Sequence, residues 1–446
     1  MTADLRTRPE LGARSTGLRL GALFGPAVFG VTAAGVALPA VGADLGAAPS
    51  ATVWVLTVHA LALGIGTALF GRLSDTAGAR VVLVCGAVLL LAGTVLCLTA
   101  PGLGVLVAGR FVLAAGSGAM SAAALGLVGA VRPEHRGTVL AVFGAAMAVC
   151  AACATLTAGV LTDLVSWRVT LVLPALSVFV APLCLRLATR PGSDRPVDLP
   201  GAGLLAATSA AVLVLLQSSA LGLSGPTVAV VAGLSVLGGA GTVLWVRRVP
   251  EGFVPRRLVT DRGFVVAAVA GGGIYAGLFA AMYAVPQVLV VEHGWDVLAV
   301  GMWLLPGAVA GAVLSRLAGG LAAGRGGRPL AAGTASAFGV ALILAGGATS
   351  GPALSVVGAS LGFAAFSAVQ VVVTGTVSAR LAAAERGAGL GLLNLAFFVI
   401  GGAGSALVGA LAALLGPSVA LAVVGVLPLL GGGLALLLPG APPRDA

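Results

Sequence analysis

Apolar runs of about 20 residues recur along the whole chain, broken by short connections rich in Gly, Pro and Arg. Each run is long enough for a helix to cross a hydrocarbon core of about 30 Å. The period-two alternation of a membrane barrel is absent. Hydropathy and turn signals predict fourteen spans. The first six cover 20–42, 52–73, 80–99, 103–126, 138–161 and 168–189, and the next two cover 200–221 and 227–247. The last six cover 263–289, 298–322, 329–348, 353–378, 387–411 and 418–439. The first run follows Arg6, Arg8, Arg14 and Arg19 but is longer than a signal-peptide core, so it is read as an uncleaved helix.

Charge placement tests that count. The chain has 24 arginines and no lysine, and all but Arg110 and Arg168 fall in the tails or in the connections on one side of a fourteen-span weave. The positive-inside rule puts both termini in the cytoplasm of a multi-pass protein of the cell (plasma or inner) membrane. A net charge of +10 therefore reflects topology, and no nucleic-acid partner is expected.

Composition agrees. The chain is 59% hydrophobic and 9% charged, against roughly 25% charged in a soluble domain. Abundant Gly and Ala suit helices that pack closely in lipid. The five cysteines all lie in expected spans, which speaks against a disulfide framework. Cys150 and Cys153 have no His or acidic partner nearby in sequence, so no metal site is expected. There is no phosphate-binding Gly-Lys loop and no cluster of catalytic residues, so neither a cofactor nor enzymatic activity is expected.

The most specific local pattern lies between the second and third spans: Gly71-Arg72-Leu73-Ser74-Asp75-Thr76-Ala77-Gly78-Ala79-Arg80. Its glycines suit a tight turn and close helix approach. A degenerate copy, Gly320 to Arg328, follows the tenth span with Gly324 at the aspartate position, as an internal duplication predicts. Arg110 precedes Gly116 and Gly118 in the fourth span, Arg136-Gly137 opens the fifth and Ser166-Trp167-Arg168 opens the sixth. Ala37-Leu38-Pro39, Pro286-Gln287, Trp303-Leu304-Leu305-Pro306 and Arg386-Gly387 with Asn394 follow in order.

These residues resemble the motifs of the major facilitator superfamily, with Gly71, Leu73, Asp75, Gly78 and Arg80 matching its gate signature. The resemblance covers nearly the full length. With the extra pair introduced by Asp198-Leu199-Pro200-Gly201, the chain looks like the fourteen-span drug:proton antiporters, and Trp54 to Asp75 is similar to the Gram-positive tetracycline exporters of that group.

The resemblance implies an all-α membrane fold of two six-helix bundles, 1–195 and 255–446, joined by two inserted helices and a linker, 196–254. It implies a monomer that exports a small molecule by alternating access, with Asp75 latching a gate and a proton as coupling ion. An uncoupled facilitator or importer on the same fold, or a receptor that has lost transport, are the alternatives.

Two departures bear on coupling. The family commonly has an acidic residue at the position of Gly30, and its fifth-span pattern lacks its proline here, reading Ala154-Thr155-Leu156-Thr157-Ala158-Gly159. None of the 14 carboxylates falls in the middle of a span. His59 in the second span is the titratable candidate for carrying the proton. Arg110, a charge inside the fourth span, is expected beside the transport pathway. Trp303 and Asn394 are expected to line it. Gln217, in the inserted pair, is expected to be peripheral. An apolar pathway with few polar groups suits an amphipathic, aromatic substrate.

Overall fold

The computed structural model describes residues 12–129, 131–188, 198–218, 221–322, 326–347, 351–381 and 386–438. Among them the regular structure is helical throughout. The first run is broken at Gly25 into α1 (Ala13–Phe24) and α2 (Pro26–Leu45). It is followed by a short α3 (Pro49–Thr52), α4 (Trp54–Ala77), α5 (Ala79–Leu98), α6 (Leu103–Gly129) and α7 (Pro133–Leu164). The sixth run is interrupted near Pro174, giving α8 (Trp167–Leu171), a 3-10 turn (Leu173–Leu176) and α9 (Ser177–Leu185).

The inserted pair is α10 (Leu199–Leu216) and α11 (Gly225–Arg248). A short α12 (Arg256–Thr260) leads to α13 (Arg262–Gln287), which ends in a π-helical turn (Val288–Glu292). Then come α14 (Val297–Ala322), α15 (Gly327–Ala345), α16 (Pro352–Arg380), α17 (Arg386–Leu415), α18 (Pro417–Val424) and α19 (Val426–Ala435).

Eleven helices among the described residues are long and apolar enough to cross a membrane. The expected fifth, sixth and tenth spans contain shorter uninterrupted apolar helices: Thr138–Met147 with Cys153–Leu164, Leu173–Leu185, and Val297–Gly311. The surface carries the mark of lipid as solvent. Val81, Val84, Val88, Leu91 and Val95 of α5 are exposed, as are Val230, Leu234, Leu237 and Leu244 of α11. In water such faces would drive association.

Two packing groups form. In the first, α4 packs on α6, α5 on α6, and α1 and α2 on α7, around a core that includes Leu20, Leu83, Leu113 and Met120. In the second, α13 packs on α17 and α19, and α16 on α14 and α15. They meet along α4 and α17, along α7 and α14, and where α2 crosses α13. A larger core, with Leu63, Tyr275, Phe279 and Phe397, runs across this seam.

Candidate functional site: a small aromatic cavity between two helix groups

The α4–α5 turn needs its glycines. Gly78 ends α4 at φ 87°, a conformation side chains rarely adopt. Gly71 lies against Gly387 of α17, where an added Cβ would come within 3.1 Å of the Gly387 carbonyl oxygen. That approach brings Asp75 to the first turn of α17, where it accepts a hydrogen bond from the backbone N–H of Ala388. Helix N-termini carry unpaired N–H groups and a partial positive charge, so a carboxylate there is favourable. A Cβ on Gly387 would sit 2.5 Å from Asp75 Oδ1. Leu73 turns back into the core of its own helix group, and Arg80 is exposed at the start of α5. Of the degenerate second copy, residues 323–325 lie outside the described residues.

Arg72 reaches the linker, donating to the carbonyls of Gly252 and Phe253. Asp198 holds the same strap from the other side, accepting from Phe253 N, Gly201 N and Trp245 Nε1. Burial pushes the Asp198 carboxyl up, but these hydrogen bonds outweigh it and hold its pKa below the usual carboxylate range.

His59 and Arg110 come together inside the first helix group, and both are fully buried. The Arg110 guanidinium donates to three carbonyls from three helical runs: Gly30 in α2, Val55 in α4 (3.4 Å) and Leu171 in α8 (2.7 Å). No carboxylate shares it among the described residues. Carbonyl dipoles do the work that an anion usually does for a buried cation. Both ring nitrogens of His59 lack a partner among the described residues. Leaving a buried polar atom unpaired costs about 1–3 kcal/mol. The His59 ring lies where a side chain at position 30 would project: a Cβ on Gly30 would fall 1.9 Å from Nε2. The glycine at 30 and the histidine at 59 are therefore one spatial arrangement.

Toward the ends of these helices, Asp44 accepts from Trp167 Nε1 and Arg168, both at 3.0 Å. Arg168 also stacks over the Trp167 ring and donates to the Ala100 carbonyl. This partly exposed cluster ties α2, α8 and the α5–α6 connection together, which accounts for the Ser-Trp-Arg pattern.

At the seam lies a cavity of about 20 Å³, room for a single water. It is lined by Phe24, Tyr275, Phe279, Phe363, Phe366 and Phe398, with Thr32 at its edge. The Thr32 hydroxyl is spent on the Val28 carbonyl. Tyr275 packs against Phe279, Phe366, Phe397 and Phe398 with ring centroids 4.9–5.9 Å apart, and its hydroxyl donates to Gln370 Oε1. The two groups approach closely at both ends of the cavity: Gly71 and Gly391 on one side, Gly35, Gly159 and Gly301 on the other.

Asn394 lies on α17 near this seam, fully buried, with Nδ2 bonded to the Leu390 carbonyl and Oδ1 unpaired among the described residues. Trp303 does not join these residues. It is 58% exposed and shares an outer face of α14 with Met302, Val309 and Val313, stacked near Trp295. The expected pathway role for Trp303 thus meets a side chain that faces outward. Tyr275 was not singled out by sequence reasoning; its scarcity, as one of only two tyrosines, was the available signal.

Comparison with known proteins agrees with this geometry. A human organic anion transporter, MFSD10 (TETRAN), superposes with a TM-score of 0.60 over 95% of this chain and 98% of that one, at 17% identity. The puromycin resistance protein pur8 of Streptomyces alboniger is 29% identical over 56% of this chain and 51% of its own length. The uncharacterized MFS-type transporter EfpA of Mycobacterium tuberculosis is 27% identical over 63% of this chain and 53% of its own. The chain thus spans about half the length of these curated relatives. Residues 20–403 match the profile of the Major Facilitator Superfamily. A helical membrane fold, a glycine-rich turn against a facing helix and a match across most of its length lead to one assignment: the chain belongs to the Major Facilitator Superfamily of membrane transporters.

Proposed function

We propose that this protein is a secondary exporter of an amphipathic, aromatic small molecule, working by alternating access between 1–195 and 255–446. The observation that carries the reading is Asp75 seated on the first turn of α17, at the end of a seam that holds a small, ring-lined cavity about three turns away. A latch of this kind holds one face closed while the other opens, and its release lets the halves exchange. Rings of phenylalanine and tyrosine favour flat apolar ligands, and the Tyr275–Gln370 pair offers a hydrogen bond. The relative named for puromycin resistance is in keeping with a drug-like substrate.

In this reading the chain crosses the cell membrane fourteen times with both termini in the cytoplasm, so the Gly71–Arg80 turn lies on the cytoplasmic side. His59 carries the returning proton. Its ring nitrogens are without partners among the described residues and are satisfied by a proton and water once a face opens. Arg110, bonded to the carbonyl of the Gly30 that the ring packs against, fixes its surroundings. A proton moving down the membrane potential supplies about 2.3 kcal/mol per 100 mV.

The test uses cells lacking their own exporters, challenged with a panel of aromatic antibiotics, and everted vesicles under an imposed pH gradient. Resistance that vanishes in His59→Ala, with uptake driven by the gradient, is expected. A second reading, an uncoupled facilitator, is favoured by the lack of a carboxylate in the middle of any span. Transport that ignores the gradient selects it.

A further inference from the structure

The inserted pair has no counterpart in either six-helix set, and the sequence suggests that Gln217 is peripheral. The structure places it elsewhere. Gln217 follows the last turn of α10 and is fully buried. Its Nε2 donates to Thr57 Oγ1 at 2.9 Å, and Thr57 lies 3.2 Å from Ser405 Oγ. Ser405 spends its own proton on the Gly402 carbonyl at 2.9 Å. The direction of the chain is therefore fixed: amide to Thr57, Thr57 to Ser405, Ser405 to backbone.

Each member belongs to a different part of the molecule. Gln217 is in the insert, Thr57 in α4 of the first helix group and Ser405 in α17 of the second. Leu213, one turn before Gln217, is fully buried, and a Cβ on Gly402 would lie 3.7 Å from its Cδ1. The bridge crosses the α4–α17 seam at the end remote from Asp75. At the Asp75 end the same insert is fastened by Asp198 and by Arg72 on the strap.

We infer that α10 is a brace across the seam and that Gln217 is a positioning residue that holds the end remote from the Gly71–Arg80 turn closed. When that end opens, α4 and α17 part and the Thr57–Ser405 contact must break. Water entering the opened end replaces these bonds only in part, so the net gain of the intact bridge weights the equilibrium toward closure there. This rests on the alternating-access reading above.

The experiment uses the full chain in lipid nanodiscs, with the five native cysteines replaced by alanine and one reporter cysteine at a time. Val53→Cys reports the seam at the Thr57 end, where Val53 is buried against Gly409. Ala68→Cys reports the Asp75 end, where Ala68 is buried against Gly391. Each is reacted with a water-soluble maleimide. Gln217→Leu is expected to speed labelling at 53 severalfold and to slow it at 68.

Thr57→Val, which breaks the bridge from the other side, should do the same, and the double variant should go no further than the stronger single. Thr57→Val also carries the test if Gln217→Leu does not accumulate. Faster labelling at both reporters means general loosening and overturns the inference, as does an additive double variant. Asp75→Asn serves as reference. If it shifts the two reporters in opposite directions and Gln217→Leu does not, the brace falls alone. If neither variant shifts them, alternating access falls with it.

Discussion

The two halves of the interior keep their polar groups in different ways. On the first side, a cation and an imidazole are sealed among α2, α4, α6 and α8, and backbone carbonyls take the place of an anion. On the second side, the buried polar pair is neutral, Tyr275 with Gln370, and it is set in a cluster of phenylalanine rings that open onto the cavity. On the proposed reading the first half holds what responds to charge, and the second supplies most of the rings around the cavity. A transporter built this way would separate the driving ion from the cargo, and substitutions in the two halves should fail differently.

The largest effect is expected at Arg110. Arg110→Leu removes all three hydrogen bonds: Gly30 and Val55 keep their helical donors, but the Leu171 carbonyl at the end of α8 loses its side-chain donor, a loss of about 1–3 kcal/mol if nothing replaces it. The expected outcome is a lower melting temperature of the purified protein and no export. Arg110→Lys keeps the charge but not the planar fork that serves three acceptors at once. It should fold and lose at least tenfold in export. A lysine variant with full activity would show that charge alone is needed and that the carbonyl arrangement is incidental.

Next comes Asp75, the proposed latch. A charge at a helix N-terminus contributes about 0.3–2 kcal/mol, so Asp75→Asn should shift the conformational balance by roughly 2- to 30-fold. Export should fall by a similar factor while the protein remains stable. Gly387→Ala should mimic it, because the added methyl meets the Asp75 carboxylate. Labelling of an engineered cysteine at position 68 follows both.

A paired substitution tests the meaning of the His59 and Gly30 arrangement. Gly30→Asp alone should be inactive, since its Cβ would overlap the His59 ring. Combined with His59→Ala, the aspartate gains that space and a neighbouring Arg110. The double variant is expected to recover part of the proton-driven transport that His59→Ala loses. If the pair is as dead as each single variant in vesicles under a pH gradient, the site is structural.

How much of this was readable beforehand follows from what hydropathy reports. Apolar run length foretold the helical membrane fold, and the glycines of the Gly71–Arg80 stretch foretold a tight turn with close helix approach. Neither tells which face of a helix looks inward. A helix apolar all round has no polar stripe to separate its lipid side from its packed side. Trp303 was therefore assigned to the pathway yet lies on an outer face, and Gln217 was assigned to the periphery yet lies in the seam. The proximity of Gly30 to His59 joins residues 29 apart in sequence, and only packing reveals it.

The smallest effect is expected on the recognition side. Tyr275→Phe removes one hydroxyl and keeps the ring among Phe279, Phe366, Phe397 and Phe398. It also leaves Gln370 Oε1 without its donor, so the net loss is that of one buried hydrogen bond, about 1 kcal/mol. Folding and proton dependence should be nearly unchanged, because Arg110 and His59 lie in the other half. The apparent affinity for substrates should change by about fivefold, and unevenly, since a freed glutamine oxygen suits ligands that donate a hydrogen bond. Tyr275→Ala, by contrast, removes the ring and should weaken all aromatic substrates together. Concentration–response curves for a donor-bearing compound and its methylated analogue separate the two. A Tyr275→Phe variant whose pH profile moves instead would mean that the halves are not separate, and the division between ion and cargo would have to be abandoned.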